Sequence, residues 1–196
     1  MRSIGIIIVF AAALLAAACV PETESFLSEP GKLDKRLIGT WYFQERNGNT
    51  TLLDIGFGED KRLRIVWLDF LPINTLPNKM REEAPVRWLR YTGFTTRLDG
   101  RRYINLRLIN ARWPRKAPKR FIMRYWLSKK GQLRIAFMST KKVRQAIKSG
   151  KLAGRDAKYS PLITASRKSL VAFIRKHGPE AFEKPSRPVR RLQVGK

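Results

Sequence analysis

From Gly39 onward, apolar and polar residues alternate with a period of two for about a hundred residues, which is the pattern of half-buried β-strands. Trp41 and Phe43 fall on one face, Tyr42 and Gln44 on the other. Asn47-Gly48-Asn49 then supplies a hairpin turn, because an Asn-Gly pair accepts the positive φ that tight turns need. Leu53, Ile55 and Phe57 share a face in the next run, which ends at Gly58-Glu59-Asp60-Lys61. From Arg62 to Leu71, Leu63, Ile65 and Trp67 alternate with Arg62, Arg64 and Val66, and a longer polar connection follows from Pro72 to Pro85. Arg87 to Leu98 reads as one long strand, bent or bulged at Gly93, and Asp99-Gly100 is a second hairpin signal. Ile104, Leu106 and Leu108 face away from Tyr103, Asn105 and Arg107. Beyond the loop from Trp113 to Lys119, Phe121, Met123, Tyr125 and Leu127 alternate with Arg120, Ile122, Arg124 and Trp126. Lys129-Lys130-Gly131 turns the chain into Leu133, Ile135 and Phe137. Seven or eight antiparallel strands in simple succession close most economically as an up-and-down β-barrel, which removes exposed edges.

After the strands the period lengthens. Val143, Ala146 and Ile147 form the buried stripe of a first helix capped by Ser139 or Thr140 and ended by Gly150. Leu170, Phe173 and Ile174 form that of a second, capped by Thr164 or Ser166 and stopped by Gly178-Pro179. Val189 to Val194 is placed as a last short strand returning to the body. The expected fold is therefore mainly β, an antiparallel barrel with one or two C-terminal helices.

The chain's first residues follow a different rule. Arg2 precedes an uncharged apolar run from Ile4 to Leu15, and three alanines lead to Cys19, the single cysteine. A basic head, an apolar middle and small residues before a cut describe an export signal. The run is short for a membrane-spanning helix, which needs about 20 apolar residues. Val20 to Lys32 is rich in Pro, Ser, Glu and Gly and reads as a solvated spacer. Three segments result: a signal peptide over 1–18, a tether over 19–36 and a barrel domain over 37–196.

Charge changes the picture further. Residues 19–60 carry four basic and eight acidic side chains, whereas residues 61–196 carry 36 basic and seven acidic. The strong positive field attracts anionic polymers or membrane surfaces and says nothing directly about fold. Apolar content is too high for a disordered basic tail, so the charge sits on a folded body. One cysteine excludes an intramolecular disulfide and any all-cysteine metal site.

Two stretches resemble known families. Leu14-Leu15-Ala16-Ala17-Ala18-Cys19 resembles the lipobox of bacterial lipoproteins, with Ala16 where that family usually has leucine. The resemblance implies that Cys19 becomes the first mature residue and carries acyl chains. It places the protein in a bacterial envelope, facing the periplasm, at the outer membrane rather than the inner. The alternative is an ordinary secretory peptide cut near Ala18 that leaves a free thiol. Gly39-Thr40-Trp41, opening the first strand of an up-and-down β pattern, resembles the G-x-W signature of lipocalins and their bacterial relatives. That resemblance implies a tryptophan closing one end of the barrel beneath an arginine from the last strand, with Arg134 the first candidate and Arg191 the second. The T-D-x-x-Y motif of the family has no counterpart here.

Function then divides into a lumen and an exterior. Phe43, Leu53, Ile55, Leu63, Ile65, Trp67, Leu106, Met123, Tyr125, Ile135 and Phe137 are the expected lining, suited to an apolar or amphipathic ligand. Because many are large, a core filled by its own side chains is the rival. Arg62, Arg64, Arg107, Arg120 and Arg124 point outward by parity, towards solvent or towards lipopolysaccharide, anionic lipid, a cell-wall polymer or a protein partner. Tyr42, Tyr103 and Trp126 share that outward register and form a nominal stacking platform for nucleic acid, which export disfavours. Catalytic signals are poor. His177 is the single histidine and sits at a helix end, where it suits the dipole better than a triad or zinc site. Ser139-Thr140-Lys141-Lys142 fits S-x-x-K without the partner S-D-N and K-T-G motifs and reads as a helix cap. Asp54 and Asp69 are the candidate inward acids. The chain is expected to be a non-enzyme without metal or cofactor.

Overall fold

In the computed structural model, which describes residues 20–31, 33–44, 50–70, 86–110, 119–158, 160–186 and 188–192, the period-two segments form one antiparallel sheet. The expected signal segment with Cys19, the Asn47-Gly48-Asn49 turn, the Pro72 to Pro85 connection, the Trp113 loop and the last residues to Val194 lie outside the described residues. In chain order the elements are β1 (Glu22–Thr23), β2 (Gly39–Gln44), β3 (Thr50–Phe57), β4 (Leu63–Phe70), β5 (Val86–Leu98) and β6 (Arg101–Asn110). They continue with β7 (Arg120–Leu127), β8 (Leu133–Phe137), α1 (Thr140–Lys148), β9 (Gly154–Arg155), β10 (Leu162–Ile163), α2 (Arg167–His177) and β11 (Arg190–Arg191). Among the described residues no helix is long and apolar enough to cross a membrane.

β2 to β8 pair strictly with their sequence neighbours, and β11 joins the free edge of β2. The same C-terminal segment also runs along β8. Leu133 and Val189 exchange backbone hydrogen bonds of 3.0 and 2.7 Å, and the Ser186 and Glu183 amides donate to the Ile135 and Phe137 carbonyls. One segment thus bridges both edges, and the sheet is nearly closed on itself. That meets the expectation of a barrel and of a returning last strand.

Gly93 does not bulge. The register shift lies between Arg90 and Tyr91 of β5, whose partners Asn110 and Leu108 leave Ile109 as the extra residue on β6. Gly93 is instead a close-approach glycine, since a Cβ there would stand 2.4 Å from the Asn105 carbonyl oxygen.

Two cores result from the two faces of the sheet. Inward residues of β2 to β8 fill the barrel. Outward residues Tyr103, Ile122 and Ala136 form a second core with Val143 and Ala146 of α1 and Leu170, Phe173 and Ile174 of α2. Ser166 caps α2 by accepting from the Ser169 amide, as its sequence position implied, and Gly178 ends that helix. Ser139 occupies the N-cap of α1 without a side-chain capping bond.

The segment read as a solvated spacer is instead packed down. β1 pairs with β10 in a small three-stranded sheet with β9, and Thr23 and Leu27 are buried. The Leu27 amide donates to Asn105 Oδ1 at 2.9 Å, and Ser25 Oγ donates to the Ala165 carbonyl at 3.0 Å. The small polar residues that look like linker composition are used here as hydrogen-bonding groups. The segment becomes a strap across the outside of β5 to β7.

Candidate functional site

The start of β2 sets the sealed end of the barrel, while the connections at the other end, 45–49, 71–85 and 111–118, lie outside the described residues. Gly39 starts β2 at the end where the β3–β4, β5–β6 and β7–β8 hairpins turn. A 3-10 turn, Lys35–Leu37, lies there, with Leu37 fully buried as the stopper. Trp41 Nε1 donates to the Leu37 carbonyl at 2.8 Å, which satisfies the indole in a buried setting. The Arg191 guanidinium lies 4.8 Å from the Trp41 ring centroid and donates to the Arg36 and Ile38 carbonyls. Gly39 is required twice over. Its φ is +135°, and a Cβ would stand 3.3 Å from Arg191 Nε. The arginine of the closed end is therefore Arg191 and not Arg134, which is exposed on the outward register of β8. Arg134 alternates with the inward Leu133 and Ile135, so its side chain leaves the barrel.

Between the ends the lumen divides into two levels. Leu53, Ile55, Leu63, Ile65, Leu106, Met123 and Ile135 are all buried and make the lower barrel solid. Tyr125 belongs to the same core, and its hydroxyl donates to Asp34 Oδ2 at 2.9 Å. Arg36 also binds Asp34, at 2.7 and 2.8 Å. That guanidinium holds the Asp34 carboxyl below its ordinary value, against burial, which pushes it up. Burial, with the Asp34 charge beside it, drives the Tyr125 hydroxyl well above the usual tyrosine range, so it stays a proton donor.

The upper level differs. Phe43, Trp67, Tyr91, Leu108 and Phe137 pack against the barrel core yet remain only half-buried. Trp67 and Phe137 have ring centroids 6.1 Å apart, and Tyr91 meets Phe121 edge-to-face at 6.2 Å. One carboxylate stands among them. Asp69 Oδ1 accepts from Thr51 Oγ1 and Trp67 Nε1, both at 2.8 Å. Arg87 is its register partner on β5. Asp54, the other acid considered, faces outward, accepting from Thr40 Oγ1 at 2.9 Å with Arg64 at 3.7 Å. The eleven expected lining residues thus all lie in or against the lumen core. Tyr91, Leu108 and Phe121 complete the upper ring; their inward parity on β5, β6 and β7 was the available signal.

The outward arginines have separate fates. Arg120 lies 5.4 Å from the Phe26 ring and donates to the Glu24 carbonyl, so it pins the strap. Arg124 sits 4.3 Å from the Trp126 ring, and burial lowers its pKa. Arg62 is half-buried, while Arg64 and Arg107 are exposed. Tyr103 is 1% exposed beneath the helices, so the Tyr42, Tyr103 and Trp126 platform is not assembled. A different basic surface appears at the sealed end. A cleft of about 720 Å³ there is lined by Arg36, Lys129, Lys130, Arg190 and Arg191, with no acid in its wall. A neighbouring cleft of about 620 Å³ contains Asp34, Arg97 and Arg102.

Other chemistry candidates are absorbed by structure. His177 packs its ring 4.6 Å from Phe173 at the end of α2. Lys142 of the S-x-x-K match pairs with Glu180 at 2.9 Å. Among the described residues no three His, Cys, Asp or Glu side chains come together as a metal site.

Fold and site together describe a nearly closed antiparallel barrel, sealed below by a Trp–Arg lock and lined above by accessible aromatics. Comparison with protein-family models, with curated proteins and with solved structures returns no match.

Proposed function

We propose that the protein is a non-catalytic bacterial envelope lipoprotein, anchored through acyl chains on Cys19, whose barrel takes an apolar or amphipathic ligand at the level above its buried core. The observation that carries this reading is the contrast between the two levels of the lumen. The lower residues are buried, while Phe43, Trp67, Tyr91 and Phe137 point inward and keep accessible surface. Large aromatics held half-bare inside a barrel have surface to offer a ligand. Asp69 and Thr51 add polar atoms at the same level, suited to a head group rather than a tail. The solid lower half limits the guest to a short one. The Gly39–Trp41–Arg191 lock beneath the upper cup supports a relationship to lipocalin-like barrels, because it reproduces the tryptophan-under-arginine seal of that family. Native mass spectrometry of full-length protein extracted in mild detergent is expected to show an added lipid-sized mass. That mass should diminish in Trp67→Ala, while Arg107→Ala retains it. Repeated absence of any added mass from the wild-type protein rules out the carrier reading.

The basic cleft at the sealed end favours a second reading, a binding module for phosphate-rich envelope polymers. Lipopolysaccharide binding that falls steeply with salt, and falls again in Lys129→Ala/Lys130→Ala, supports this second reading. Binding indifferent to salt argues against it.

A further inference from the structure

At the sealed end, the inward face of β5 to β7 finishes in a row that core packing does not call for. Thr95, Ile104 and Met123 are cross-strand partners on that face, and all three are buried. Two residues nearer the β5–β6 hairpin, on the same side of the sheet, the next row is Arg97, Arg102 and Tyr125. Arg97 and Arg102 are direct register partners, and like charges placed opposite each other on one face repel. The strap supplies the facing wall. The Asp34 amide donates to Thr95 Oγ1 at 3.3 Å, and the Ser28 and Thr96 hydroxyls are hydrogen-bonded at 2.7 Å. The cleft of about 620 Å³ lies between this wall and the two arginines, within the usual size range of small-molecule sites.

The charges in the cleft do not balance. The Asp34 oxygens are taken by Arg36, at 2.7 and 2.8 Å, and by the Tyr125 hydroxyl at 2.9 Å. Arg102 Nε stands 4.0 Å from Asp34 Oδ2, beyond hydrogen-bond reach. Glu29, the other acid of the lining, forms an ion pair with Arg167 on α2. Among the described residues no carboxylate is in ion-pair range of Arg97, which is exposed. Three guanidinium groups against one available carboxylate leave the cleft two positive charges in excess. A phosphate monoester carries about −1.5 to −2 near pH 7 and offers three acceptor oxygens to two guanidinium forks. A carboxylate brings a single charge and two oxygens. The rest of the wall is mostly hydroxyl and backbone, and among the described residues Leu33 is its one aliphatic side chain. Such a wall suits a sugar and not an acyl chain.

We propose that the cleft between the strap and the β5–β6 hairpin binds a phosphate monoester on a sugar-like carrier. Arg97 and Arg102 grip the phosphate, and the strap faces the carrier. Arg36 is the wall shared with the Lys129 and Lys130 cleft, which is a separate surface. The site requires neither the Cys19 anchor nor an occupied lumen. The same group occurs on a soluble sugar phosphate and on a phosphorylated sugar of an envelope polymer, and the test separates these two sources.

Titration calorimetry and thermal unfolding of the full-length protein in mild detergent, at fixed salt, test this with glucose 6-phosphate, glucose and lipopolysaccharide as probes. Glucose 6-phosphate is expected to bind and raise Tm, and glucose to do neither. Arg97→Gln is expected to weaken the binding by about tenfold or more, the order for losing a charge-assisted hydrogen bond. Because it also removes the repulsion across the β5–β6 pair, the same variant should melt at a higher temperature than wild type when no ligand is present. A purely structural arginine would not produce that opposed pair of changes. Lys129→Ala/Lys130→Ala, in the other cleft, should leave glucose 6-phosphate binding unchanged. Lipopolysaccharide binding that weakens in Arg97→Gln, without glucose 6-phosphate binding, supports the site and assigns the polymer as its source. Binding of neither probe overturns the proposal. So does equal weakening by Arg97→Gln and the double lysine variant, which assigns the effect to the general positive field, and so does any binding that Arg97→Gln leaves untouched.

Discussion

Arg191 shows how much of the sealed end depends on one side chain. Its guanidinium covers Trp41 and holds the carbonyls of Arg36 within the 3-10 turn and of Ile38 at its end, so three parts of the chain meet on it. Arg191→Ala is expected to cost about 2–3 kcal/mol, from the stacking and the charged hydrogen bonds together. Arg191→Lys recovers little, because an ammonium cannot stack and reach both carbonyls at once. Arg134→Ala, on the exposed register, should change the free energy of urea unfolding by less than about 0.5 kcal/mol. Equal effects at the two arginines would refute the assignment. The glycine and tryptophan of this lock were legible in the sequence because they are local. The arginine was ranked only second, behind Arg134, because strand parity says which way a residue points and nothing about which distant segment returns. Asp34 provides a second test at this scale. Its carboxyl is held below its ordinary 3.8 chiefly by Arg36. A depressed folded-state pKa stabilises the fold above 3.8 and loses that contribution as pH falls through the folded value. Asp34→Asn is expected to cost about 1–2 kcal/mol at neutral pH, and its deficit against wild type should shrink as pH drops below 3.8. A deficit that stays constant down to that range would show that the charge is not what binds the cluster.

At the scale of elements, the strands and helices were legible and the strap was not. Period-two alternation fixed the inward sets of β2 to β8, and a single slip would have inverted each set. The 3.6 period located α1 and α2 equally well. Strap residues carry no period, since their order comes from Asn105, Ala165 and Ser160 elsewhere in the chain. Their signal was the Phe26-Leu27 pair inside a polar run: Leu27 enters the outer core, and Phe26 meets Phe94 edge-to-face at 5.2 Å. Leu27→Ala is expected to destabilise the protein by about 2–4 kcal/mol in urea unfolding, the ordinary cost of truncating a buried leucine. A solvated spacer would lose nothing. The strap also relocates Arg120 and Arg124. Parity correctly turned them outward, but outward on β7 means under the strap or beside the helices, so they pack instead of presenting free charge.

For the whole molecule, closure of the barrel depends on the last stretch of chain. Phe182, Val189 and Arg191 bind it to the outer core, to β8 and to the Trp41 lock in turn. Phe182 and Val189 are buried, and each contributes about 1.5–3 kcal/mol by transfer from water. With the arginine lock added, the loss on truncation after Ala181 is about 5–9 kcal/mol. Domains of this size have about 5–15 kcal/mol in all, so that loss takes most of the stability. The truncated chain is expected to lose its cooperative near-UV transition and become sensitive to dilute protease, because both edges of the sheet are freed at once. Truncation after Val189 removes β11 and its pairing with β2 together with Arg191 but keeps the bonds to β8, and is expected to cost more than Arg191→Ala. The pair of truncations separates the two roles of the segment. If the longer deletion unfolds within about 1 kcal/mol of wild type, the sheet does not need closing and the barrel is better regarded as an open, curved sheet. If it collapses while the shorter one does not, Val189 and Phe182 are what seal the wall.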